Sequence, residues 1–326
     1  MPSRRSLLSY ALLPGALAGG LPAVDLAAAR SATPDLVGID GWLNTNGPLM
    51  IAGLRGKVVL VEFCTYTCIN WRRTLPYVNR WHSEYGPQGL QIIGVHSPEF
   101  GFEQVRPNVE SAIRELGVRY PIAQDNEFAT WDAWGNQYWP SFYLLDRDGQ
   151  VRFVRNGEGH AQEIEGSIRS LLGLARTGSS DHPTDDADLS RIGTPEMYFG
   201  SAHSTPQDSA QSPRRGEAAY AITRSSGPNL NEYQLDGRWE REDEALTLRS
   251  SRGRVRVRFS AAKLYLVAGA SQPAPVRISV DGGGDRTIEV GMPTLYTMLD
   301  GGGYGEHLLE LECATPGLSL YSATFG

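Results

Sequence analysis

Cysteine is scarce in this sequence, and its basic residues are outnumbered by acidic ones. Three cysteines among 326 residues are too few for a disulfide-stapled scaffold or for a zinc site built from cysteine ligands. The 30 lysines and arginines stand against 37 acidic residues, and the formal net charge of -7 argues against a general binder of nucleic acid or anionic membranes. After the N-terminal region no apolar run is long enough to span a bilayer. The composition is that of an ordinary soluble globular protein with room for two domains.

The N-terminus has the pattern of an export signal. Arg4 and Arg5 form a twin-arginine pair, a mild apolar region follows, and three alanines at residues 27–29 offer a cleavage site. We therefore predict a cleaved twin-arginine signal peptide over residues 1–29 and a periplasmic or secreted protein. The alternatives are a frayed tail or a single membrane-anchoring helix, which the glycines and prolines of this segment disfavour. An odd cysteine count in an exported protein leaves at least one thiol without an intramolecular partner.

The stretch around Cys68 is the centre of the predicted organisation. Residues 58–63 are mostly apolar and β-branched, which predicts a strand buried on both faces, and Cys68 stands immediately before the predicted start of a helix. A cysteine at a helix start meets unpaired backbone N–H groups and the positive end of the helix dipole. Both favour the thiolate, which is the form that attacks a disulfide.

Two regions of different patterning follow the N-terminal segment. Residues 33–175 predict an α/β domain whose connection to the next region is a polar linker at residues 176–193. Short strands are expected at 42–44 and 49–51, on either side of an Asn-Gly-Pro turn. The remaining predicted elements are buried strands at 58–63 and 90–95, a hairpin at 141–155, and helices at 71–85, 109–116, 126–134 and 163–174.

Residues 194–326 predict an all-β domain. Val255, Val257 and Phe259 alternate with arginines, as in a strand with one buried face. A similar alternation includes Cys313, which is therefore expected to be buried and inert. Many short strands separated by glycine-rich turns predict a jelly-roll-like β-sandwich.

Several separated motifs, in order, resemble thioredoxin-like proteins, and more closely the exported thioredoxin-like domain of the DipZ family. Members of that family are often fused to a CcdA-type membrane reductase, which is absent from this sequence. The resemblance rests on WLN at 42–44, RGKVVL at 55–60, TYTCIN at 65–70, GVHSPEF at 94–100, YWP at 138–140, TPE at 194–196, YFG at 198–200 and TFG at 324–326. It implies a thioredoxin-like domain that needs no cofactor and acts on exported protein disulfides, with a CcdA-type membrane thiol reductase as a candidate partner.

The active-site pattern departs from that of the family. The family has an aromatic residue at position 64 and a cysteine at position 71, whereas this chain has Cys64 and Trp71. Cys68 would be the nucleophile, and the mixed disulfide that it forms needs a second thiol for release. Cys64 is the internal candidate for this resolving thiol, because it lies two residues after Glu62 on the same strand face. The alternative is that Cys64 is a small buried residue filling part of the space of the aromatic side chain.

Two acids are candidate proton carriers. Glu62 lies inside the apolar strand, where burial would raise its pKa, and thioredoxins place an acid at the matching position. The alternative is a structural acid paired with Lys57 or an arginine. Glu99, after the second strand, is the second candidate by resemblance. His96 is expected to be a hydrogen-bonded loop histidine rather than a metal ligand or base.

The remaining predicted site residues would contact substrate. The resemblance implies a cis peptide bond between Trp139 and Pro140, opposite the cysteine loop, whose preceding backbone pairs with substrate. Trp71 and Trp139, together with Tyr66, are predicted to form apolar walls for an extended peptide, or else to be core residues. Thr65 matches the threonine that helps to bind peroxide in peroxiredoxins, although Val61 replaces the proline of that motif.

Three functions are therefore open from the sequence. The first is an exported thiol–disulfide oxidoreductase, and the second is a peroxiredoxin-like thiol peroxidase. The third is a redox-inactive binding protein, because a thioredoxin-like domain that has lost its redox activity would be expected to lack the second active-site cysteine. The β-domain resembles carbohydrate-binding jelly rolls, so carbohydrate is a candidate partner. Its candidate sugar-stacking residues are Tyr198, Trp239, Tyr265, Tyr296 and Tyr304.

Overall fold

The computed structural model describes residues 33–175, 187–203, 207, 211–301 and 303–326. The chain divides into two compact units between residues 186 and 187, each with its own hydrophobic core. The predicted signal peptide lies outside the described residues, as does most of the predicted linker, so the predicted domain boundaries stay predictions. No helix in the described part of the chain is long and apolar enough to cross a membrane.

The first unit, which precedes residue 187, has the predicted thioredoxin-like α/β fold. Its sheet has the order β1-β4-β3-β2-β5-β6, in which β2, β3 and β4 are parallel and β1, β5 and β6 are antiparallel to their neighbours. The strands are β1 (Gly41–Leu43), β2 (Val58–Cys64), β3 (Leu90–His96), β4 (Ile122–Gln124), β5 (Ser141–Leu145) and β6 (Val151–Asn156). The helices are α1 (Ile69–Tyr85), α2 (Arg106–Glu115), α3 (Ala129–Ala133) and α4 (Ala161–Leu172).

Strand β2 is buried on both faces, as its apolar run predicts. All seven of its residues are buried, and successive side chains point to opposite faces of the sheet. Leu60 and Cys64 pack in a cluster with Trp81 of α1. Val61 and Phe63 pack in a second cluster on the other face, where the Phe63 ring meets Trp131 edge-on. Strand β2 therefore lies between two apolar layers, and the cysteine loop follows directly from its C-terminal end.

The predicted strand at residues 49–51 is wrong, because this segment enters a 3₁₀ helix, Ile51–Leu54. The carboxylate of Asp35 accepts the backbone N–H of Ile51 at 2.7 Å, which satisfies an otherwise unpaired donor at the helix start. Ile51 and Leu54 are both buried, since positions three apart lie on the same side of a 3₁₀ helix. A short apolar run fits a strand as well as a helical turn, so its pattern did not separate the two.

Three helix boundaries also differ from prediction. Helix α2 begins at Arg106 rather than Val109, because Pro107 is tolerated in a first turn, and α4 begins at Ala161 rather than Glu163. Helix α1 begins directly after Cys68, as predicted. Helix α3 is shorter than the predicted segment because the backbone before it turns at Asp125. The carboxylate of Asp125 accepts the backbone N–H groups of Thr130 and Trp131, both at 2.9 Å.

The second unit, residues 187–326, is all-β as predicted, and its strands form one continuous sheet. The order is β14-β13-β16-β11-β9-β10-β17-β12-β15, with β7 paired to β17 and β8 to β9. The strands are β7 (Met197–Tyr198), β8 (Gly216–Tyr220), β9 (Glu232–Arg241), β10 (Leu246–Leu248), β11 (Gly253–Ser260), β12 (Leu264–Ala270), β13 (Ala274–Val280), β14 (Arg286–Val290), β15 (Thr294–Leu299), β16 (Glu306–Cys313) and β17 (Leu318–Phe325).

This sheet curls around a single core and is nearly barrel-like. Long strand β9 pairs with β11 through its first half and with β10 through its second half, so it joins two layers that a sandwich would keep separate. The rings of Phe259 on β11 and Phe325 on β17 lie 5.3 Å apart inside the core. Cys313 is buried in the same core, as its alternation predicts.

Candidate active site at the start of helix α1

Cys68 stands at the junction of the β2 loop and helix α1, where the sequence places it. Its carbonyl oxygen accepts the backbone N–H of Arg72 at 3.0 Å, which is the first hydrogen bond of the helix. Its own backbone N–H donates to the carbonyl of Thr65 at 3.2 Å, which closes the preceding turn. Among the three cysteines, Cys68 alone is not buried. The sulfur is therefore at a helix N-terminus and accessible, as a reactive thiol requires.

The Cys68 thiol faces the loop that precedes β5. Its Sγ lies 3.8 Å from the carbonyl oxygen of Trp139, and the following peptide bond to Pro140 is cis, as the resemblance implies. The carbonyl of Pro140 accepts the N–H of Gly157 at 2.8 Å, so the loop after β6 supports this one. Trp139 is half-buried on Trp131, with ring centroids 4.5 Å apart, and Tyr138 beside it is exposed. The sulfur thus lies next to accessible backbone and an exposed aromatic residue.

Arg72 is a site residue that the sequence analysis missed. Its Nε donates to the carbonyl of Tyr66 at 2.7 Å, which directs the guanidinium along the cysteine loop. Burial lowers the pKa of Arg72 to about 10, while the negative charges of Cys68 and Glu103 oppose this shift. The attraction between thiolate and guanidinium is mutual, so Arg72 favours the ionised form of Cys68. The four-residue spacing from Cys68 at the start of a helix was the available signal.

Glu103, rather than Glu99, is the buried acid at the cysteine loop. Its Oε1 accepts the hydroxyls of Thr65 and Thr67, at 2.6 and 2.8 Å, and the N–H of Thr67 at 3.2 Å. Its Oε2 accepts the N–H groups of Glu99 and Phe100, at 2.7 and 3.0 Å. Burial raises the pKa of Glu103, and these donors lower it again in part. Glu99 stays a predicted proton carrier, while Glu103, in the 3₁₀ helix Gly101–Gln104, is a site residue that the sequence analysis missed.

We expect Glu103→Gln to lower the free energy of unfolding by about 1–3 kcal/mol. Both oxygens of Glu103 accept hydrogen bonds from buried groups, and the amide would replace one of these acceptors with an N–H donor. Glu110→Gln is a matched control on α2, since Glu110 pairs with Arg106 at the surface and should cost less than about 1 kcal/mol. Urea unfolding of both variants measures the difference. Equal stability of the two variants would show that Glu103 does not hold the loop.

Glu62 is fully buried in the middle of β2, and its partners are hydroxyl groups. Its Oε2 accepts the Tyr120 hydroxyl at 2.7 Å, and its Oε1 lies 3.0 Å from the Thr74 hydroxyl. The indole N–H of Trp71 also lowers the pKa of Glu62, although it has no partner in full hydrogen-bond geometry among the described residues. Burial outweighs these donors and raises the pKa to about 7. The alternative pairing with Lys57 is wrong, because that side chain is exposed.

Three predicted substrate-contacting residues are buried instead. Trp71 is fully buried under the first turn of α1 and belongs to the core. Thr65 is also fully buried, and its hydroxyl is donated to Glu103 rather than presented to a ligand. Tyr66 is buried and stacks on His96, with ring centroids 5.7 Å apart. Of the predicted apolar walls, Trp139 is the one that reaches the surface.

Cys64 and His96 lie side by side beneath the cysteine loop. They are paired in the parallel register of β2 and β3, and both side chains are fully buried. Burial, followed by the nearby Glu62 carboxylate, raises the pKa of Cys64 well above its ordinary value. Burial lowers the pKa of His96 to about 4, and neither ring nitrogen has a hydrogen-bond partner within the described ranges. The prediction of a hydrogen-bonded loop histidine is therefore wrong, because His96 ends a buried strand.

Of the five candidate sugar-stacking residues, two are buried and three are half-buried. Trp239 and Tyr265 are buried. Tyr198 packs on His203, and Tyr304 packs under the guanidinium of Arg191 at 4.3 Å. Tyr296 is half-buried and donates its hydroxyl to the carbonyl of Met292 at 2.8 Å. In the part of the chain that the structure describes, no group of three or more His, Cys, Asp or Glu side chains is arranged to hold a metal.

Two protein families match separate parts of the chain. Residues 40–154 match the AhpC/TSA family, and residues 194–326 match the family described as thioredoxin like C-terminal domain. Protein DipZ of Mycobacterium tuberculosis is 36% identical over 301 residues, which cover 90% of this chain and 42% of DipZ. The chain thus spans less than half the length of that relative.

Two smaller proteins match the first unit. Thiol-disulfide oxidoreductase YkuV of Bacillus subtilis is 28% identical over 144 residues, which cover 44% of this chain and 95% of YkuV. The crystal structure of a thiol-disulfide isomerase from Corynebacterium glutamicum is 28% identical and has a TM-score of 0.40, covering 44% of this chain and 98% of that one.

Proposed function

Because residues 40–154 form an AhpC/TSA-family domain and residues 194–326 a thioredoxin like C-terminal domain, we propose that this chain is a thiol–disulfide oxidoreductase with Cys68 as its nucleophile. One observation carries the proposal. The accessible sulfur of Cys68 lies at the start of α1 and 3.8 Å from the carbonyl of Trp139, before a cis proline. The names of relatives that match the first unit are consistent with this activity.

The proposed reaction begins with attack of the Cys68 thiolate on one sulfur of a substrate disulfide. A bond forms between that sulfur and Cys68, and the other substrate sulfur leaves as a thiolate. The first turn of α1 and the guanidinium of Arg72 stabilise the attacking anion. The backbone at Trp139 offers a carbonyl to an extended peptide, and Tyr138 offers an exposed aromatic surface.

Glu62 is proposed as the proton carrier of the site. Its pKa near 7 allows it to change protonation state close to neutral pH, and the hydroxyls of Tyr120 and Thr74 connect it to the loop before β4 and to α1. Cys64 lies two residues along the same face of β2, but burial and the Glu62 carboxylate raise the pKa of its thiol, so it stays protonated and does not accept the proton that Glu62 releases.

Location and partners follow from the resemblance. We propose export to the periplasm or beyond, disulfides of exported proteins as substrates, and a CcdA-type membrane reductase as electron donor. The similarity to DipZ over 90% of this chain supports this proposal. Carbohydrate binding by the β-unit stays a prediction, and the packing of its aromatic residues gives it no support.

The test is reduction of the insulin disulfides by the wild type and by Cys68→Ser, with dithiothreitol as electron donor. We expect the variant to fall to the uncatalysed rate, because serine is not a nucleophile toward disulfides at neutral pH. Cys313→Ser is the matched control, since this cysteine is buried in the other unit, and it should retain full activity.

The same samples separate the other two functions. Peroxide consumption that depends on Cys68 and exceeds insulin reduction would favour a thiol peroxidase, against which the buried hydroxyl of Thr65 argues. A wild type that neither reduces insulin nor consumes peroxide would favour the third function, a redox-inactive binding protein.

A further inference from the structure

The first unit contains a second cysteine, but the sulfurs of Cys64 and Cys68 are turned toward different strands. A Cβ placed on Gly94 of β3 would lie 3.6 Å from the Cys64 sulfur. The Cys68 sulfur instead lies next to Trp139, just before β5. Since β3 and β5 flank β2 on opposite sides, the two sulfurs face opposite neighbours of the same strand.

Burial and charge also make Cys64 a poor attacking group. An attacking sulfur must be ionised, and Cys64 is fully buried, so burial first and then the negative charges of Glu62, Cys68 and Glu103 raise the pKa of its thiol. Cys64 also ends a paired strand, where its carbonyl accepts the N–H of Ser97 at 3.0 Å. A shift of this residue toward Cys68 would therefore break the end of the central strand.

The place of the usual resolving cysteine is filled. Trp71 occupies position 71, fully buried in the core beneath α1. The third cysteine, Cys313, is buried in the second unit, where its sulfur lies 3.5 Å from the carbonyl oxygen of Thr315. Trp71 has no sulfur and the sulfur of Cys313 is buried, so neither position supplies a thiol for the release step.

We propose that the mixed disulfide formed at Cys68 is released by a thiol from outside the chain, and that Cys64 takes no part in turnover. This inference rests on the exchange activity proposed above and names its second substrate, an external thiolate. That thiolate comes either from a small molecule, such as glutathione, or from the exposed cysteine of a partner protein.

The proposed cycle balances with two external thiols. Cys68 thiolate first displaces one substrate thiolate and holds the other half of the substrate as a mixed disulfide. An external thiolate attacks the Cys68 sulfur, releases the second substrate thiolate and becomes disulfide-bonded to Cys68. A second external thiolate then attacks the sulfur of the first, so that the external disulfide leaves and the Cys68 thiolate is restored. The substrate disulfide is reduced by two electrons, and two external thiols are oxidised to one disulfide.

The experiment uses the full chain, fully reduced and freed of small thiols, and a chromogenic aromatic disulfide in excess. We expect about one equivalent of coloured thiolate from Cys68, followed by no further release. Intact mass should show one aromatic adduct, and peptide mapping should place it on Cys68. Cys64→Ala should give the same stoichiometry and adduct.

Turnover is then measured in two arms, with reduced glutathione and with a reduced thioredoxin as the external thiol. Multiple turnovers in either arm support the proposal, and the arm that works identifies the source of the thiol. About two equivalents of coloured thiolate without an added thiol, with a Cys64–Cys68 disulfide in the peptide map, would overturn it. So would an adduct on Cys68 that neither thiol releases.

Failure of the oxidoreductase proposal looks different. In that case the wild type releases no coloured thiolate and Cys68 carries no adduct, although the denatured chain reacts. The inference about external release would fall with it, while the two outcomes above concern the release step alone.

Discussion

Replacing Arg73 with alanine is expected to lower the free energy of unfolding of the first unit by about 3–5 kcal/mol, the range for removing one member of a buried ion pair. Arg73 Nη1 and Glu158 Oε1 lie 2.9 Å apart, with side chains only 3% and 4% exposed. Alanine at position 73 would leave the carboxylate of Glu158 buried without its cation. The low local dielectric makes such an uncompensated charge costly.

This ion pair also supports the proposed active site from behind. Arg73 lies in the first turns of α1, one turn after Cys68, and Glu158 lies in the loop after β6. The neighbouring Gly157 donates its N–H to the carbonyl of Pro140, so this loop contacts the segment that faces the Cys68 sulfur. The pair therefore helps to fix the distance between Cys68 and Trp139, and its loss should slow exchange with a peptide disulfide.

Chemical unfolding of four variants checks the stability prediction. Arg73→Ala and Glu158→Ala should each lose several kcal/mol, whereas the double variant Arg73→Met with Glu158→Leu should recover most of the loss, because apolar residues of similar size remove both charges together. Arg152→Ala is the control, since the side chain of Arg152 is 57% exposed where it pairs with Asp146, and the cost there should stay below about 1 kcal/mol. A loss at Arg73 no larger than at Arg152 would contradict the argument.

The sequence predicts the local part of this site and misses its long-range part. The strand, the helix start and the position of Cys68 follow from periodicity and capping, which depend on neighbours in the chain. The contacts of Glu103 with Thr65 and of Arg73 with Glu158 join residues 38 and 85 positions apart, and no periodic signal records such distances. The sequence analysis therefore singled out neither acid, although each is buried.

The misassigned aromatic residues have a related cause. A tryptophan next to a reactive cysteine fits a substrate wall and a core position equally well, because its spacing on the helix is the same in both. The inward direction of Trp71 is decided by packing against β2, which the sequence does not show. For the β-unit, alternation predicts the buried faces of β11 and β16. It does not predict that β9 pairs with both β11 and β10 and so joins the two halves of the sheet, since register across strands is also a long-range property.

The dependence of stability on pH is the second large effect, and it arises from two buried groups with opposite signs. Glu62 has a pKa of about 7 when folded, against an ordinary value of 4.5, so the folded chain holds a proton that the unfolded chain releases between these pH values. Stability therefore falls as pH rises through this window. His96 has a folded pKa of about 4 against an ordinary 6.5, so here the unfolded chain holds the extra proton. Stability from this group rises with pH from about 4 to about 6.5.

Each contribution amounts to about 3 kcal/mol, at about 1.4 kcal/mol per pKa unit, and the two windows overlap almost completely. In the wild type, the pH dependences of stability that arise from Glu62 and His96 therefore largely cancel. Removing one should expose the other, so Glu62→Gln should gain stability relative to the wild type as pH rises from about 4.5 to about 7. His96→Phe should lose stability relative to the wild type as pH rises from about 4 to about 6.5.

Urea unfolding of the three proteins across pH 4 to pH 7 tests this opposition. The readout is the difference between each variant and the wild type at each pH, in which the other shifted groups, such as Glu103 and Asp125, cancel. A constant change from altered packing moves a whole curve but leaves this slope untouched. Difference curves with slopes of the same sign, or flat curves, would show that these side chains are solvated in the folded protein. Opposite slopes would instead establish that, between about pH 4 and about pH 7, β2 holds an uncharged Glu62 and β3 an uncharged His96.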